Sequence, residues 1–570
     1  MLETPESDPD VLAGWERRVR LACRAFGWPA STIIAIAHRS GASLAFSAPQ
    51  DQLFSATEVN EWALAAAIAE RNPARRAALV AALAAEQPEE SELPVLEDAG
   101  AILRLQRRAA AEAQPKLEAL LNAAEARGLP VLLDDEELTI GAGIGHRSWP
   151  LVDLPDTGAD TFEGLSGIPV ALVTGTNGKT TVVRLIAACL RAAGYRTGHS
   201  CTDGVFVDGN AIGSGDYSGP AGARRVLRDR RVAAAVLETA RGGILRRGLA
   251  VARADTAVIT SIAADHFGEY GIHDLAALAE VKLAVARALD RNGLLVVNAD
   301  DATLVRKAPD AGRRLAWFAR DDGHVLLTAH RRNGGSSCGV AGGRLRLHHG
   351  RSEHDLGAVA GMPLAAGGHS FFNLSNLAAA ALAATGLGIA PSTIAAVFER
   401  FGQDPADNPG RLMRYEVGGL NLIVDFAHNP AALAGLVAFA QRLRQRGRLA
   451  ILLGQAGNRE DTDIDRLAAA AAAAKPDLVV VKELGSYLRG RGAGEVPALL
   501  KRALARAGIG DEALADAPDE EAAVRLALGW ARTGDVIVLP LHTREGRASG
   551  LALIDALRRA GWSAGQPFPT

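Results

Sequence analysis

The chain has 570 residues, and its 62 Lys and Arg against 65 Asp and Glu leave a formal net charge of −3. At roughly 100 to 200 residues per domain, this length predicts about three or four domains. The balanced charge argues against a nucleic-acid coat or a polybasic membrane binder, so we expect neither nucleic acid nor a membrane among the partners. The hydrophobic content of 48% and charged content of 22% are typical of a folded globular protein.

The cysteines and the chain start indicate a reducing compartment. Cys23, Cys189, Cys201 and Cys338 are scattered, and no two of them form a C-x-x-C pair. Residues 1–10 are acidic and contain proline, unlike a secretory signal, and no run of 18 apolar residues suggests a membrane span. We therefore expect a cytoplasmic protein.

Residues 1–165 are predicted to form a mostly helical α+β N-terminal domain whose role the sequence does not indicate. Alanine-rich helices are expected around residues 61–85 and 100–127, followed by a strand, an acidic turn at 134–137 and a second strand. Glycines and prolines between residues 150 and 167 then mark a boundary.

Residues 166–405 alternate buried strands with helices, which predicts an α/β domain with a parallel sheet covered on both faces. Strands are expected at 169–173, 232–237, 256–260 and 294–297, and helices at 180–193, 274–289, 375–384 and 391–401. Between residues 310 and 370, short alternating pieces such as Val325–Thr328 and Arg344–Leu347 predict a small antiparallel excursion.

Residues 406–570 form a second α/β pattern, which predicts a Rossmann-like doubly wound domain. Its strands are expected at 420–424, 449–453, 478–481 and 536–539, and its helices at 431–443, 464–474, 496–507 and 520–531. No G-x-G-x-x-G follows the first strand, so a dinucleotide is not predicted here.

The strongest local motif lies between a predicted strand and a predicted helix in the central domain. Its glycines would let backbone N–H groups surround phosphate oxygens, Lys179 could reach the β- and γ-phosphates, and Thr180 could bind magnesium. The spacing departs from the strict phosphate-loop pattern because position 173 is Val173. The predicted nucleotide-binding residues of this loop are Gly175, Thr176, Asn177, Gly178, Lys179, Thr180 and Thr181.

Acidic residues and a histidine follow two further strands of the same domain. Glu238 comes directly after one strand, and Asp265 and His266 follow the next. Such residues at the carboxyl ends of parallel strands could hold a metal that bridges phosphates. Helix caps or solvated loop residues would explain each of them equally well.

At this point the sequence resembles the Mur ligase superfamily, and most closely the Mur-like ligase part of its cyanophycin synthetase branch. The resemblance covers residues 165–570. It is carried by the segments Gly215–Arg224, Glu238–Arg246, Asp265–Ile272, Asn373–Asn376, Pro409–Arg411 and Asp425–Pro430.

The resemblance implies an ATP- and Mg²⁺-dependent ligase in which a carboxylate attacks the γ-phosphate and an amine then displaces phosphate from the acyl phosphate. Lys179, Glu238, His266 and Lys282 would be catalytic, and Thr180, Glu238, His266 and Lys282 would hold the metal. Lys282 matches a lysine that is carbamylated in many relatives, although an ordinary solvated helix lysine is the alternative.

The resemblance also implies contacts to the nucleotide and to the two substrates. Asn373, Asn376, Arg411 and Asp425 would contact ATP, and Arg224, Arg241, Arg246, His428, Asn429 and Arg459 would bind the substrates. Each of the first three arginines could grip a carboxylated acceptor in a bidentate manner, or could form a surface ion pair instead.

Members of the cyanophycin synthetase branch also have an ATP-grasp domain, and the N-terminal segment of about 165 residues is too short to contain one. We therefore expect one ligation, of an amino acid or amine to a small-molecule or peptide carboxylate, with a separate ATP-grasp ligase and self-association as further candidate partnerships. A folylpolyglutamate-type ligase, a phosphate-loop ATPase or kinase, and a catalytically silent regulatory partner of another ligase stay open as alternatives.

Overall fold

The computed structural model describes residues 2–29, 32–38, 41–85, 96–265, 267, 269–444 and 446–569. The chain divides into two compact units. Unit 1 contains residues 1–168, 245–251 and 267–273, and unit 2 contains residues 169–244, 252–266 and 274–570. No helix within the described ranges combines the length and the apolar character needed to cross a membrane.

Unit 1 combines helices with two small antiparallel sheets. Asp8 caps its first helix, accepting a hydrogen bond from the Asp10 backbone N–H at 2.9 Å, and Trp15 and Trp62 are buried in its core. One sheet has the order β1-β3-β2 and the other β4-β5-β6. The strands are β1 (Leu2–Thr4), β2 (Ile33–His38), β3 (Gly41–Phe46), β4 (Val131–Leu133), β5 (Glu137–Ile140) and β6 (Arg147–Pro150). The helices are α1 (Pro9–Phe26), α2 (Leu53–Arg71), α3 (Arg76–Ala85), α4 (Asp98–Glu112), α5 (Pro115–Ala126) and α6 (Ala159–Phe162).

Unit 2 begins with a large sheet of eleven strands in the order β10-β9-β8-β11-β7-β12-β13-β14-β15-β16-β17. The strands from β8 to β15 in this order run parallel, and an antiparallel pair extends the sheet at each end. The strands are β7 (Val170–Thr174), β8 (Thr197–Cys201), β9 (Gly204–Val207), β10 (Asn210–Ser214), β11 (Ala234–Glu238), β12 (Ala254–Ile259), β13 (Leu289–Asn298), β14 (Arg314–Asp321), β15 (Ser336–Ala341), β16 (Arg344–His349) and β17 (Ser352–Ala358).

The helices of this region are α7 (Lys179–Ala192), α8 (Pro220–Leu227), α9 (Arg241–Arg247), α10 (Leu275–Leu283), α11 (Ala302–Lys307), α12 (Val325–Arg332), α13 (Phe371–Gly386) and α14 (Pro391–Phe398). Every residue of β7 and β11 is buried, as expected for a parallel sheet covered on both faces. Apolar residues of α7 and α13 share one core with these strands. The carboxyl ends of the central strands are thereby held in fixed positions.

The second sheet of unit 2 has six strands in the order β18-β19-β23-β20-β21-β22, parallel except for the β18–β19 pair. Its strands are β18 (Met413–Val417), β19 (Leu420–Asp425), β20 (Leu449–Leu453), β21 (Leu478–Lys482), β22 (Leu514–Ala517) and β23 (Val536–Pro540). The helices are α15 (Pro430–Leu443), α16 (Asp461–Ala472), α17 (Glu495–Arg506), α18 (Glu520–Trp530) and α19 (Arg544–Arg559). The predicted fold class, two α/β regions after a mostly helical N-terminal region, is confirmed.

Several local predictions were wrong. Val325–Thr328 is not an alternating strand but the first turn of α12, where Leu327 is buried and Val325 is 79% exposed. The His324 side chain caps this helix by accepting from the Leu326 backbone N–H at 3.2 Å. The predicted helix 274–289 is also shorter, because α10 ends at Leu283 and a 3₁₀ segment follows. The hairpin of β9 and β10 was not predicted at all.

Candidate active site

The phosphate-loop motif connects the end of β7 at Thr174 to the start of α7 at Lys179. Gly175 has a φ of +140°, and a Cβ there would lie 1.9 Å from Thr260 Oγ1. Gly178 has a φ of +88°, and a Cβ there would lie 2.3 Å from Asn376 Oδ1. Both positions require glycine, for their backbone conformation and for space. The tight loop exposes the N-terminus of α7, where backbone N–H groups can receive an anion.

Glu238, at the end of β11, lies beside the loop and is 1% exposed. Its carboxylate accepts from Thr180 Oγ1 at 2.8 Å and from Thr202 Oγ1 at 2.9 Å. The Thr202 backbone N–H also donates to it at 3.3 Å. A buried carboxylate and a hydroxyl are thus held together at the loop, and both supply the hard oxygen ligands that Mg²⁺ prefers.

Two lysines approach the same loop. The Lys179 ammonium donates to the Thr176 carbonyl at 3.0 Å, and the Lys282 ammonium donates to the Gly175 carbonyl at 2.8 Å. Lys282 is only 4% exposed, and burial, followed by the neighbouring positive charge of Lys179, lowers its pKa well below the ordinary lysine value. The structure therefore directs Lys282 towards the loop rather than towards solvent.

Asp265 is held by residues of the C-terminal region. Arg459 Nη1 lies 2.8 Å from Asp265 Oδ1, and His428 Nε2 lies 3.7 Å from Asp265 Oδ2. Arg459 is 6% exposed, so this ion pair is largely shielded from water. His266, a predicted metal ligand, lies outside the described residues, and its role stays a prediction.

Asn429 joins the phosphate loop to the second sheet. Its amide and that of Asn177 exchange two hydrogen bonds, at 2.9 and 3.2 Å, across 252 residues of sequence. The same Asn429 side chain accepts from the Ala432 backbone N–H at 2.9 Å and so caps α15. These contacts orient the loop relative to α15, and the predicted role of Asn429 in substrate binding stays a prediction.

A cavity of about 310 Å³ opens beside the loop, and both sheets of unit 2 contribute to it. Such a volume lies in the range of small-molecule sites. At the loop end it is lined by Thr176, Asn177, Gly178, Lys179, Thr180, Thr181, Thr202, Glu238, Thr260, Ser261, Ala263 and Asn298. The other lining residues belong to α13, to the segment before β18, to the end of β19 and the residues that follow it, and to α15: Phe372, Asn373, Ser375, Asn376, Arg411, Leu412, Asp425, Phe426, Ala427, His428, Ala431, Ala432, Gly435 and Leu436.

The predicted nucleotide contacts beyond the loop lie in this cavity and are positioned by hydrogen bonds. Asn373 donates to the Leu364 carbonyl at 3.0 Å and accepts from Asn376 at 3.0 Å. Asp425 accepts from the backbone N–H groups of Leu412 at 2.7 Å and Ala427 at 2.8 Å. Burial raises the pKa of Asp425 above its ordinary value, although Arg411 and these donors oppose the shift.

The three arginines predicted to grip an acceptor lie on two helices, α8 and α9. Arg224 lies on α8 and is partly buried, and Arg241 is buried at the start of α9. Arg246 belongs to unit 1, together with residues 245–251, and none of the three lines the cavity. Their predicted role in substrate binding stays a prediction.

Sequence reasoning missed Thr202 and Phe372, which both line the cavity. Thr202 contacts Glu238 because β8 turns back into β9, and the Asp203-Gly204 pair at this turn is a hairpin signal that could have indicated it. Phe372 precedes the Asn373–Asn376 motif, so its neighbours could have indicated it.

Comparisons with known proteins agree with this architecture. A family model described as the Mur ligase middle domain matches residues 173–384, and one described as Mur ligase, glutamate ligase domain matches residues 410–540. Cyanophycin synthetase from Trichormus variabilis is 34% identical over 374 residues, which are 65% of this chain and 41% of that protein. The chain thus spans less than half the length of this relative.

A further relative and a solved structure match over a larger share of their own length. UDP-N-acetylmuramoyl-L-alanyl-D-glutamate–2,6-diaminopimelate ligase from Xanthomonas campestris is 30% identical over 401 residues, covering 67% of this chain and 74% of that protein. The solved structure of Mycobacterium tuberculosis folylpolyglutamate synthase complexed with ADP and AMPPCP has a TM-score of 0.48 and 20% identity, covering 67% of this chain and 91% of its own. The two matching domain models and the 30% identity over most of the diaminopimelate ligase confirm the resemblance, and this chain belongs to the Mur ligase family.

Proposed function

We propose that the chain is an ATP-dependent carboxylate–amine ligase that forms an amide bond through an acyl phosphate. The observation that carries the proposal is the cavity to which both sheets of unit 2 contribute, lined by the phosphate loop of the first sheet and by Asp425 to His428 of the second. A phosphoryl transferase needs only the first of these, whereas a ligase must also deliver an amine to the activated carboxylate. The Mur ligase and cyanophycin synthetase names of its relatives agree with this chemistry.

The nucleotide would lie along the cavity. Lys179 and the N-terminus of α7 would hold its β- and γ-phosphates, because both direct positive charge into the loop. Asn373, Asn376, Arg411 and Asp425 would hold the nucleoside end, where Phe372 and Leu436 supply apolar surface. We further propose that residues 166–405 form the ATP-binding domain and residues 406–570 the ligase domain, with residues 1–165 as a separate N-terminal domain.

The donor set at Glu238 fits Mg²⁺. Thr180 and Glu238 offer oxygen atoms already 2.8 Å apart, and Mg²⁺ is commonly held by one or two carboxylates together with substrate phosphates and water. His266, and Lys282 as a carbamate, would complete the set. When bound, the metal would neutralise charge that develops on the transferred phosphoryl group.

The residues of this chain would act mainly by positioning and electrostatics. Phosphoryl transfer requires alignment of the acceptor carboxylate with the γ-phosphate and stabilisation of negative charge, which Lys179 supplies. The carboxylate takes the γ-phosphoryl group of ATP and ADP is formed; the amine then attacks the acyl carbon, loses a proton and expels phosphate. Arg459 and His428, which face Asp265, would contact the incoming amine.

Hydroxylamine trapping tests this proposal directly. Purified protein is incubated with ATP, magnesium, hydroxylamine and a panel of amino acids and short peptides as carboxylate donors, and hydroxamates are measured by mass spectrometry. We expect a hydroxamate together with stoichiometric ADP, and neither product with Lys179→Ala. ADP formation with a phosphorylated hydroxyl product and no hydroxamate would instead identify a kinase, and nucleotide binding without any turnover would identify a regulatory partner.

A further inference from the structure

Asp203 lies in the turn between β8 and β9 and gathers three arginines from distant parts of unit 2. Its carboxylate is 2.9 Å from Arg184 Nη2, 2.8 Å from Arg547 Nη2 and 3.7 Å from Arg411 Nη2. The Asp203 side chain is only 12% exposed. Burial would raise the pKa of this carboxyl, but Arg411, Arg184 and Arg547 together hold it below its ordinary value.

The three guanidiniums come from three elements near the proposed nucleotide site. Arg184 lies on α7, which begins at the phosphate loop, and Arg547 lies on α19 of the second sheet. Arg411 lies on the segment that connects the two sheets and lines the cavity. Asp203 therefore contacts the phosphate-loop helix, the connecting segment and the C-terminal region at one point.

The connecting segment is fixed to α7 by further bonds. Arg184 Nη1 donates to Asn408 Oδ1 and to the Pro409 carbonyl, each at 3.2 Å. One helical turn earlier, Thr181 Oγ1 accepts from the Asn408 amide at 3.2 Å. The residues immediately before Arg411 are thus held, so that the remaining freedom of Arg411 is mainly that of its own side chain.

The Arg411 guanidinium has contacts on three sides. It lies over the Phe426 ring, 4.5 Å from the ring centroid, its Nη1 donates to the Gly410 carbonyl at 3.2 Å, and its Nη2 lies 3.7 Å from Asp203. Without the carboxylate, three like charges would meet in a poorly hydrated space and would repel one another. Arg411 would then move away from Arg184 and Arg547.

We propose that Asp203 is a positioning residue that holds Arg411 in the orientation needed for ATP binding. The inference rests on the proposed function, because it takes ATP as the ligand of the cavity. It also links the site to Thr202 in the same turn, whose side chain donates to Glu238 at 2.9 Å. One two-residue turn thereby serves the phosphate end through Thr202 and the Arg411 side of the cavity through Asp203.

The direction of the change in ATP affinity distinguishes this positioning role from a purely electrostatic or a purely structural one. Asp203→Asn removes a negative charge near a polyanionic ligand, so a purely electrostatic effect would tighten ATP binding. A purely structural role would lower the melting temperature and leave the affinity of the folded protein unchanged. Loss of Arg411 positioning instead predicts weaker binding, by about 10- to 100-fold, comparable with the loss of outer-shell support at other sites.

The experiment is a double-mutant cycle on the full chain, with ATP affinity measured by calorimetry and KM and kcat measured separately. We expect Asp203→Asn to weaken ATP binding and to raise the KM for ATP more than it lowers kcat. Adding Asp203→Asn to Arg411→Gln should cause little further loss, because Asp203 acts through Arg411. Asp229→Asn, at an aspartate that pairs with Arg231 at 2.6 Å, is the matched control and should bind ATP normally.

Asp203→Glu provides a second variant that retains the charge and moves it by one methylene. We expect a loss of ATP affinity smaller than that of Asp203→Asn. If Asp203→Asn does not fold, Asp203→Glu is compared with the wild type, and an unchanged affinity overturns the inference. Unchanged or tighter ATP binding by folded Asp203→Asn, or additive losses in the cycle, also overturns it. Wild-type protein that binds no ATP would overturn the proposed function as well.

Discussion

Replacing Lys282 should lower the rate of ADP formation without lowering the stability of the fold. The side chain is 4% exposed, and its ammonium donates to the Gly175 carbonyl at 2.8 Å. Burial and Lys179 lower its pKa well below the ordinary value, which favours a neutral amine able to react with carbon dioxide. The resulting carbamate would supply an anionic oxygen beside Glu238, where a free ammonium would repel magnesium.

Lys282→Met retains most of the apolar stem and removes the amine. Since the variant no longer buries an ionisable group, we expect its thermal stability to equal or exceed that of the wild type. Loss of one charge-stabilising group at a reacting centre typically costs about 2.7 to 4 kcal/mol. The rate of ADP formation should therefore fall by ~10² to 10³.

The assay compares Lys282→Met and Lys282→Ala with Lys307→Ala; Lys307 is a partly exposed lysine that pairs with Glu280 at 2.5 Å. Lys307→Ala should keep full activity. Formate or acetate should restore part of the rate in Lys282→Ala, which leaves space for a small carboxylate, but not in Lys282→Met. A carbamate signal from ¹³C-labelled carbon dioxide should disappear in both Lys282 variants. Full activity of Lys282→Met would refute the reasoning, as would rescue of both variants alike.

Three further changes test other parts of unit 2. Lys179→Ala should reduce ADP formation by ~10² or more, measured by a coupled assay against Lys501→Ala, and near-native turnover would rule out the phosphate-loop assignment. Gly178→Ala should abolish nucleotide binding in calorimetry, because a Cβ would lie 2.3 Å from Asn376 Oδ1 at a φ of +88°; normal binding would show that the loop adapts. Lys482→Met leaves the buried Glu520 carboxylate without its charged partner, which lies 2.5 Å away in the wild type. The free energy of unfolding in urea should fall by about 3 to 5 kcal/mol, and much of this loss should be recovered when Glu520→Gln is added. Lys482 holds the pKa of Glu520 below its ordinary 4.5 despite burial, so the wild type should lose this stabilisation as the pH falls below 4.5, whereas Glu520→Gln should lack that part of the acid dependence.

The phosphate loop was predictable because its residues are contiguous and lie between a strand and a helix. Glu238 was predictable because it ends a strand, and the carboxyl ends of parallel strands meet at one edge of a sheet. The Asn177–Asn429 pair was not predictable, because its two residues are 252 positions apart and asparagine is common in loops and caps. Val325–Thr328 was misassigned because four residues cannot distinguish a strand from the first turn of a helix.

Lys282 illustrates why residue type alone misleads at a functional site. A lysine on a helix is normally assigned to the solvated face, and that alternative was open for Lys282 on sequence grounds. The structure instead buries it against a glycine carbonyl, where the amine loses hydration and gains one hydrogen bond. Such an arrangement costs stability, and a surface lysine would avoid that cost. Burial alone does not indicate chemistry, because the buried amine of Lys482 pairs with Glu520 in a structural role. The position of Lys282 beside the phosphate loop, together with its lowered pKa, is the argument for a chemical role.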